Sequence, residues 1–370
     1  MNLNTSSIHF FALAIWLFGS TSYAEGKTGD ISPGSSCTTN SEQTTGVNES
    51  GYVQIGGIKQ WITIKGENCL NPIVLLLHGG PGNPLSLYHE SLFQNWESEF
   101  TIVHWDQRGS GKTYEANQEL GELTIDRLEN TKLDTDLLVS DGLEVTDYIR
   151  KKFKREKIII SGTSWGSVLA VKMAFTAPDR YLFYVGLSQL VNYQKNMKES
   201  YDLVKSTAIE KQDQAAIDIL NSIGAPPWTS PRSFGKLRRI IRAYENDVVS
   251  KHPEFIIDKQ YLSEKTRAAY FAGEEFSFVK FVGLSGDGMA QKVALDECCA
   301  EFKIPIYIIQ GEKDLLTTPK VTKEFFDRIK APSKEYVQLR QSGHDPNVSM
   351  LDKQLDILNA GIKTLVNKQL

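Results

Sequence analysis

The chain has 370 residues, and its 41 Lys and Arg against 45 Asp and Glu give a formal charge of −4, which offers no basis for nucleic-acid binding. A hydrophobic share of 41 % and a charged share of 23 % are those of a folded soluble protein, long enough for a large core and a subdomain. The four cysteines lack metal-ligand spacing and histidine is scarce, so neither a metal nor a cofactor is expected.

Residues 1–24 contain no Asp, Glu, Lys or Arg. Phe10 to Phe18 is an apolar run of signal-peptide length, too short to span a bilayer, and Ser22-Tyr23-Ala24 is a small-x-small cleavage site. These features predict a signal peptide over 1–24, although its start lacks the usual Lys or Arg. An exported protein, periplasmic or secreted, is expected, with no stable membrane association after cleavage. Residues 25–50, rich in Ser, Thr and Gly, read as a flexible linker. Export would permit disulfides: Cys37–Cys69 is a candidate pair, and adjacent Cys298–Cys299 would be a strained one.

Residues 51–189 and 301–370 read as one core. Tyr52 to Ile64 predicts a hairpin with Gly56-Gly57 at its turn. Asn71 to Leu77 is a continuous apolar strand of the doubly buried kind, opening into His78-Gly79-Gly80-Pro81-Gly82. Glycine lets the backbone approach a ligand closely, so the N–H of Gly80, with Gly79 as the alternative, is a candidate oxyanion donor. The strand Phe100 to Trp105 leads into Asp106-Gln107-Arg108-Gly109-Ser110-Gly111, where Asp106 and Arg108 are expected to pair and brace the site. Asp134 to Phe153 reads as a helix, closed by the basic cluster Arg150 to Arg155.

The apolar run Lys157 to Ser161 is followed by Gly162-Thr163-Ser164-Trp165-Gly166-Ser167 and a helix over 167–177. Strand, sharp turn and helix around G-x-S-x-G form a nucleophile elbow, in which a Cβ at Gly162 or Gly166 would collide with the neighbouring strand or helix. Ser164 is the candidate nucleophile, and the N–H of Trp165, at the positive end of the helix, a second oxyanion donor.

Between 190 and 300 the strand–helix alternation stops. This polar, helical stretch, broken at Gly224-Ala225-Pro226-Pro227 and Ser230-Pro231, predicts a cap over the site. Lys236 to Arg242 reads as an amphipathic helix with its charges in water. Alternation resumes with the strand Ile304 to Gln310, which puts Asp314 on the loop beyond it, with Glu312 as the alternative acid. The strand Lys334 to Arg340 then leads to Gly343-His344. Among six histidines, only His344 follows a late strand in a glycine-bearing loop. Ser164, Asp314 and His344 are thus the expected nucleophile, acid and base, with His344 taking the serine proton and Asp314 holding the imidazole tautomer. The overall pattern is α/β: a mostly parallel twisted sheet with helices on both faces and a largely helical cap inserted before the acid-bearing strand. Ligands in such sheets sit beyond the C-terminal strand ends, where all these motifs fall.

With His-Gly-Gly-Pro-Gly at 78–82, Asp-Gln-Arg-Gly-Ser-Gly at 106–111 and Gly-Thr-Ser-Trp-Gly-Ser at 162–167, the chain resembles the proline iminopeptidase family of α/β-hydrolases over residues 51–188 and again over 304–344. The resemblance implies a serine peptidase that removes an N-terminal residue, often proline, from short peptides. It supports Ser164, Asp314 and His344 as a catalytic triad, and Gly80 and Trp165 as oxyanion donors. The family's Glu-Asn-His-Tyr-Phe-like cap stretch, whose acid holds the substrate's free amine, is missing. The nearest candidate is Tyr270 to Phe276, where Glu274 and Glu275 would serve. Without an amine anchor, a carboxylester or small-amide hydrolase on the same triad is the alternative, and a non-catalytic ligand-binding hydrolase fold is a third. The expected partner is a small peptide or ester; the oligomeric state stays open.

Overall fold

The computed structural model describes residues 46–118, 121, 123–249 and 253–367, together with two short paired strands, β1 (Thr39–Asn40) and β2 (Gln43–Thr44). The expected leader and Cys37 lie outside the described residues. Strand β3 (Val47–Ile55) begins inside the stretch expected to be linker, so that expectation fails for 39–40, 43–44 and 47–50. The cause is pairing. β3 forms nine Cα pairs with β4 (Ile58–Gly66), from Val47 opposite Gly66 to Ile55 opposite Ile58, with Gly56 and Gly57 turning at positive φ. A polar strand held along its whole length by a partner needs little apolar content of its own.

The remaining strands are β5 (Ile73–Leu77), β6 (Thr101–Trp105), β7 (Ile158–Thr163), β8 (Tyr181–Leu187), β9 (Ile306–Gly311) and β10 (Lys334–Leu339). They join the hairpin in one sheet of order β10-β9-β8-β7-β5-β6-β4-β3. β5 to β10 are mutually parallel, and β4 is antiparallel to both its neighbours. β5 lies between β6 and β7, so the chain leaves β5 toward one side and returns on the other. The loops after β5 and β7 therefore diverge, which opens a crevice at their C-terminal ends.

Both faces are covered. Leu75, Leu77, Ile158 and Ile160 pack into the core shared with α4 (Thr135–Phe153) and α5 (Trp165–Thr176). Their strand neighbours Val74, Leu76 and Ile159 point the other way, into the core shared with α12 (Val348–Asn367) and with Leu92, Phe93 and Trp96. This two-sided burial is why the central strands read as unbroken apolar runs. The short helices α1 (His89–Leu92), α2 (Gly111–Asn117) and α3 (Ile125–Asn130) connect the early strands, and α11 (Pro319–Arg328) separates β9 from β10.

Between β8 and β9 the chain forms α6 (Tyr193–Glu210), α7 (Gln214–Ile223), α8 (Pro231–Asn246), α9 (Glu264–Val282) and α10 (Leu295–Cys298). The aromatics of this insertion pack mostly within it or onto the core: Trp228 on Tyr201, Phe278 on Phe234 and Phe276 on Tyr114. Phe271 is exposed. Cys298 and Cys299 are joined to each other at its end, and Cys69 is in a disulfide too.

Candidate active site

The turn between β7 and α5 places Ser164 at φ +52° and ψ −119°, a conformation that costs a non-glycine residue roughly 1–3 kcal/mol. Its surroundings enforce it. A Cβ on Gly162 would sit 2.4 Å from the Gly166 carbonyl oxygen, and one on Gly166 would sit 2.1 Å from that of Leu77. Only glycine at both positions lets β7, α5 and β5 approach this closely. Ser164 N–H donates to Leu187 O (3.0 Å), and the Ser167 hydroxyl donates to Ser164 O (2.5 Å), which fixes the peptide on either side.

The loops after β9 and β10 bring the other two groups. His344 Nε2 is 3.0 Å from Ser164 Oγ, and His344 Nδ1 is 3.2 Å from each oxygen of Asp314. Asp314 is fully buried and saturated with donors. Its Oδ1 accepts from the amides of Leu316 (2.9 Å) and Thr317 (2.8 Å), and its Oδ2 from Gln310 Nε2 (2.8 Å) and Thr317 Oγ1 (2.7 Å). Burial by itself raises this carboxyl, but the His344 charge and the hydrogen bonds of His344, Thr317 and Leu316 outweigh it and hold Asp314 below the usual carboxylate range. Burial likewise lowers His344, and Asp314 overrides it, leaving the imidazole above its ordinary value. Glu312, the alternative acid, is exposed and pairs with Lys313 (2.8 Å), away from the imidazole.

The glycine loop after β5 lies on the serine. A Cβ on Gly79 would be 3.3 Å from Ser164 Cβ and 3.9 Å from its Oγ, and Gly80 stands at φ +109°. Trp165 is the first residue of α5, so its N–H has no partner within the helix. Ser164 thus stands between the Gly79–Gly80 turn and the first turn of α5. A buried network holds this loop: Gln107 N–H donates to His78 Nε2 (3.2 Å), His78 Nδ1 bonds Gly79 O (2.9 Å), and Gln107 also bridges His78 O and the Trp165 indole. Burial keeps His78 neutral, lowered to about 4 against the pull of its Gly79 bond.

Asp106 and Arg108 do not pair. Asp106 accepts from Ser86 (2.6 Å), the Lys112 amide (2.9 Å) and Tyr270 (2.8 Å), while Arg108 grips Asp141 (2.7 and 3.1 Å). Neighbouring residues of a turn face different ways, and each found a partner distant in sequence. Burial pushes Asp106 up to about 6, with Ser86, Lys112 and Tyr270 opposing. The Tyr270 bond, with Ser277 Oγ on Gly109 O (2.8 Å), anchors α9 to the core.

That anchoring decides the fate of the two cap acids. Gly82, at φ +102°, packs so closely on α9 that a Cβ would lie 2.7 Å from Glu274 Cα. Glu274 is part-buried beside the glycine loop. Burial raises its carboxyl, against the charge of Arg242 and a hydrogen bond with Asn83. Glu275, one position on, turns away, and its charge is felt at the Tyr114 hydroxyl. Of the pair, only Glu274 is brought against the loop that touches Ser164.

Two features of α8 escaped the sequence. Arg238, expected in water, donates from Nη2 to Asp345 Oδ1 (2.6 Å), next to His344. Glu245 is 4 % exposed and reaches the loops that carry Asp314 and His344. An amphipathic pattern marks which face of a helix is apolar but not which charges at its margin meet a partner. Among the described residues, no group of three or more His, Cys, Asp or Glu could hold a metal ion.

A family model described as the alpha/beta hydrolase fold matches residues 72–349. The chain is similar to a probable aminopeptidase of Bacillus subtilis, 28 % identical over 304 residues that cover 80 % of this chain and 90 % of the relative. It is also similar to the proline iminopeptidase of Clostridioides difficile, 25 % identical with 83 % and 96 % covered. Among solved structures, the proline iminopeptidase of Mycobacterium smegmatis shares the fold, with a TM-score of 0.57 at 17 % identity over 84 % of this chain and 96 % of that one.

Proposed function

Because the chain belongs to the alpha/beta hydrolase family, we propose that it is a serine aminopeptidase that releases the N-terminal residue of short peptides through an acyl-enzyme. The observation that carries this reading is the unbroken series Asp314–His344–Ser164 at 3.2 and 3.0 Å on a strained elbow. With its Nδ1 proton directed at Asp314, His344 presents a bare Nε2 to the serine hydroxyl. Ser164 Oγ attacks the carbonyl carbon of the first peptide bond while its proton passes to His344. The N–H groups of Gly80 and Trp165 receive the developing oxyanion. Collapse breaks the C–N bond, and His344 returns the proton to the departing amine. Water then repeats the sequence, releases the amino acid and restores Ser164.

Glu274 is the candidate partner for the substrate's ammonium. An ammonium beside a part-buried carboxylate forms a charge-assisted hydrogen bond and offsets the cost of burying it. A panel of chromogenic aminoacyl amides, with free and with blocked N-termini, tests the proposal; equal turnover of both removes the amine anchor. In Glu274→Gln, kcat/KM for free-amine substrates should fall roughly tenfold to a hundredfold, carried mostly by KM, with blocked esters unaffected.

Arg242, whose charge already acts on Glu274, favours a second reading, a carboxylester or small-amide hydrolase on the same serine. Ester turnover without peptide trimming in the same panel would select it.

The active form has His344 neutral. Since Asp314 holds its pKa up, activity should be complete at alkaline pH and lost as pH falls, with a midpoint above the ordinary imidazole value of about 6.5. A pH–rate profile of kcat/KM that stays flat to about pH 4 would contradict this role.

A further inference from the structure

We propose that Glu245, a carboxylate of the cap, is a positioning residue that holds the acid loop and the base loop of the active site in register. This rests on the serine-hydrolase reading above. Glu245 lies in the last turn of α8, and its two oxygens are divided between the two loops. Oε1 accepts the amide proton of Leu315 (2.8 Å), the residue after Asp314, and Oε2 accepts that of His344 itself (2.9 Å). These loops follow different strands, and the reaction depends on their mutual placement to within a fraction of an ångström. One carboxylate therefore ties the backbone of the base to the backbone beside the acid.

The surroundings are built for it. A Cβ on Gly343 would lie 2.7 Å from Glu245 Oε2, so the glycine before His344 is what admits the carboxylate. The carbonyl of His344, in the next peptide, is fixed as well, since Ser188 Oγ donates to it (2.7 Å). Arg238 stands seven residues before Glu245, two turns back on the same face of α8, and binds Asp345 (2.6 Å). Two side chains of one cap helix thus grip consecutive residues of the base loop. The charged groups that act on Glu245 are Asp314 and His344 from the core and Arg238 from its own helix. Burial first, and Asp314 second, push the Glu245 carboxyl up, while the charges of His344 and Arg238 and the His344 amide bond oppose them, so the groups it clasps are the ones that favour its charged form.

The consequence is that the cap helps to assemble the triad as well as to cover it. Two effects should separate on substitution. Losing the bidentate clasp loosens the distance between His344 and Ser164, which slows any reaction of the serine. Losing the negative charge removes a favourable interaction with the imidazolium, which shifts the acid limb of the pH profile.

The test is the second-order rate of fluorophosphonate labelling of Ser164, measured across pH on the full-length protein, since it needs no knowledge of the natural substrate. Glu245→Gln has nearly the same shape but offers an amide NH₂ to one of the two backbone donors. It should label about ten- to a hundredfold more slowly, with the midpoint moved to lower pH. With chromogenic substrates the loss should lie in kcat, leaving KM unchanged. Glu245→Asp keeps the charge and loses the reach; it should be slowed while keeping the wild-type midpoint, and it decides the matter should the Gln variant not fold. Labelling of either variant at the wild-type rate and midpoint overturns the proposal. A wild-type protein that is not labelled at all overturns the serine-hydrolase reading on which the proposal stands.

Discussion

Ser164→Ala should reduce kcat by roughly 10⁴- to 10⁶-fold and abolish fluorophosphonate labelling, with the fold intact. The size follows from the geometry. Ser164 Oγ is the atom in reach of His344 Nε2, at 3.0 Å, and it stands on a backbone turn that a neighbouring hydroxyl cannot reproduce. Ser167, the serine in the first turn of α5, spends its proton on Ser164 O and receives those of Gln189 Nε2 (2.9 Å) and the Leu190 amide (3.1 Å). It is therefore committed to structure. Alanine removes one oxygen and leaves the turn, the flanking glycines and the Leu187 bond unchanged, so circular dichroism and the thermal midpoint should stay close to wild type. Retained labelling in this variant would show that the reactive hydroxyl is elsewhere and would dissolve the proposed chemistry.

Asp314→Asn should cost about 10⁴-fold in kcat and, unlike Ser164→Ala, should also destabilise the protein. The carboxylate accepts from Leu316, Thr317 and Gln310 and faces His344 Nδ1, and every one of these partners is a donor. Asparagine brings an NH₂ into a site built for acceptors. Either it meets His344 and turns the imidazole to the wrong tautomer, or it meets a buried donor and leaves that bond unmade, at about 1–3 kcal/mol. The pH dependence has a definite sign. Asp314 is held below its ordinary range, so its stabilisation is complete above the ordinary carboxylate value of about 4 and is lost as pH falls through the lower folded value. His344 is held above its ordinary range, so its contribution is present below about 6.5 and is lost as pH rises through the folded value. Wild-type stability should therefore exceed that of the variant most clearly between these limits. Thermal melts of equal midpoint at every pH would show that the pair is not charged in the folded protein.

Much of this is legible in the sequence. The run from Ile73 to Leu77 names a doubly buried strand, and Gly162, Ser164 and Gly166 name an elbow, because close approach leaves no room for a Cβ. Chain order and a place on loops after strands single out Asp314 and His344. Such signals are local: they follow from the steric demands of a turn or from which faces of a strand are buried, and a few consecutive residues carry them. The polar strand beginning at Val47 carried no such signal, since its partner across the hairpin supplies what its own composition lacks.

What only the tertiary structure decided are the partnerships between distant residues. Nothing in Asp106-Gln107-Arg108 tells that the aspartate goes to Tyr270 and the arginine to Asp141. Glu274 and Glu275 are indistinguishable as letters, and it is the Tyr270 and Ser277 anchors of α9 that turn the first toward the glycine loop. Glu245 reads as one more charge at the end of an amphipathic helix until the loops at 315 and 344 are folded against it. A turn's backbone is constrained by its own atoms, and so the sequence alone determined where Ser164 stands. A buried charge is satisfied by whatever the fold carries to within 3 Å, and the choice of that partner belongs to the packing of the whole chain.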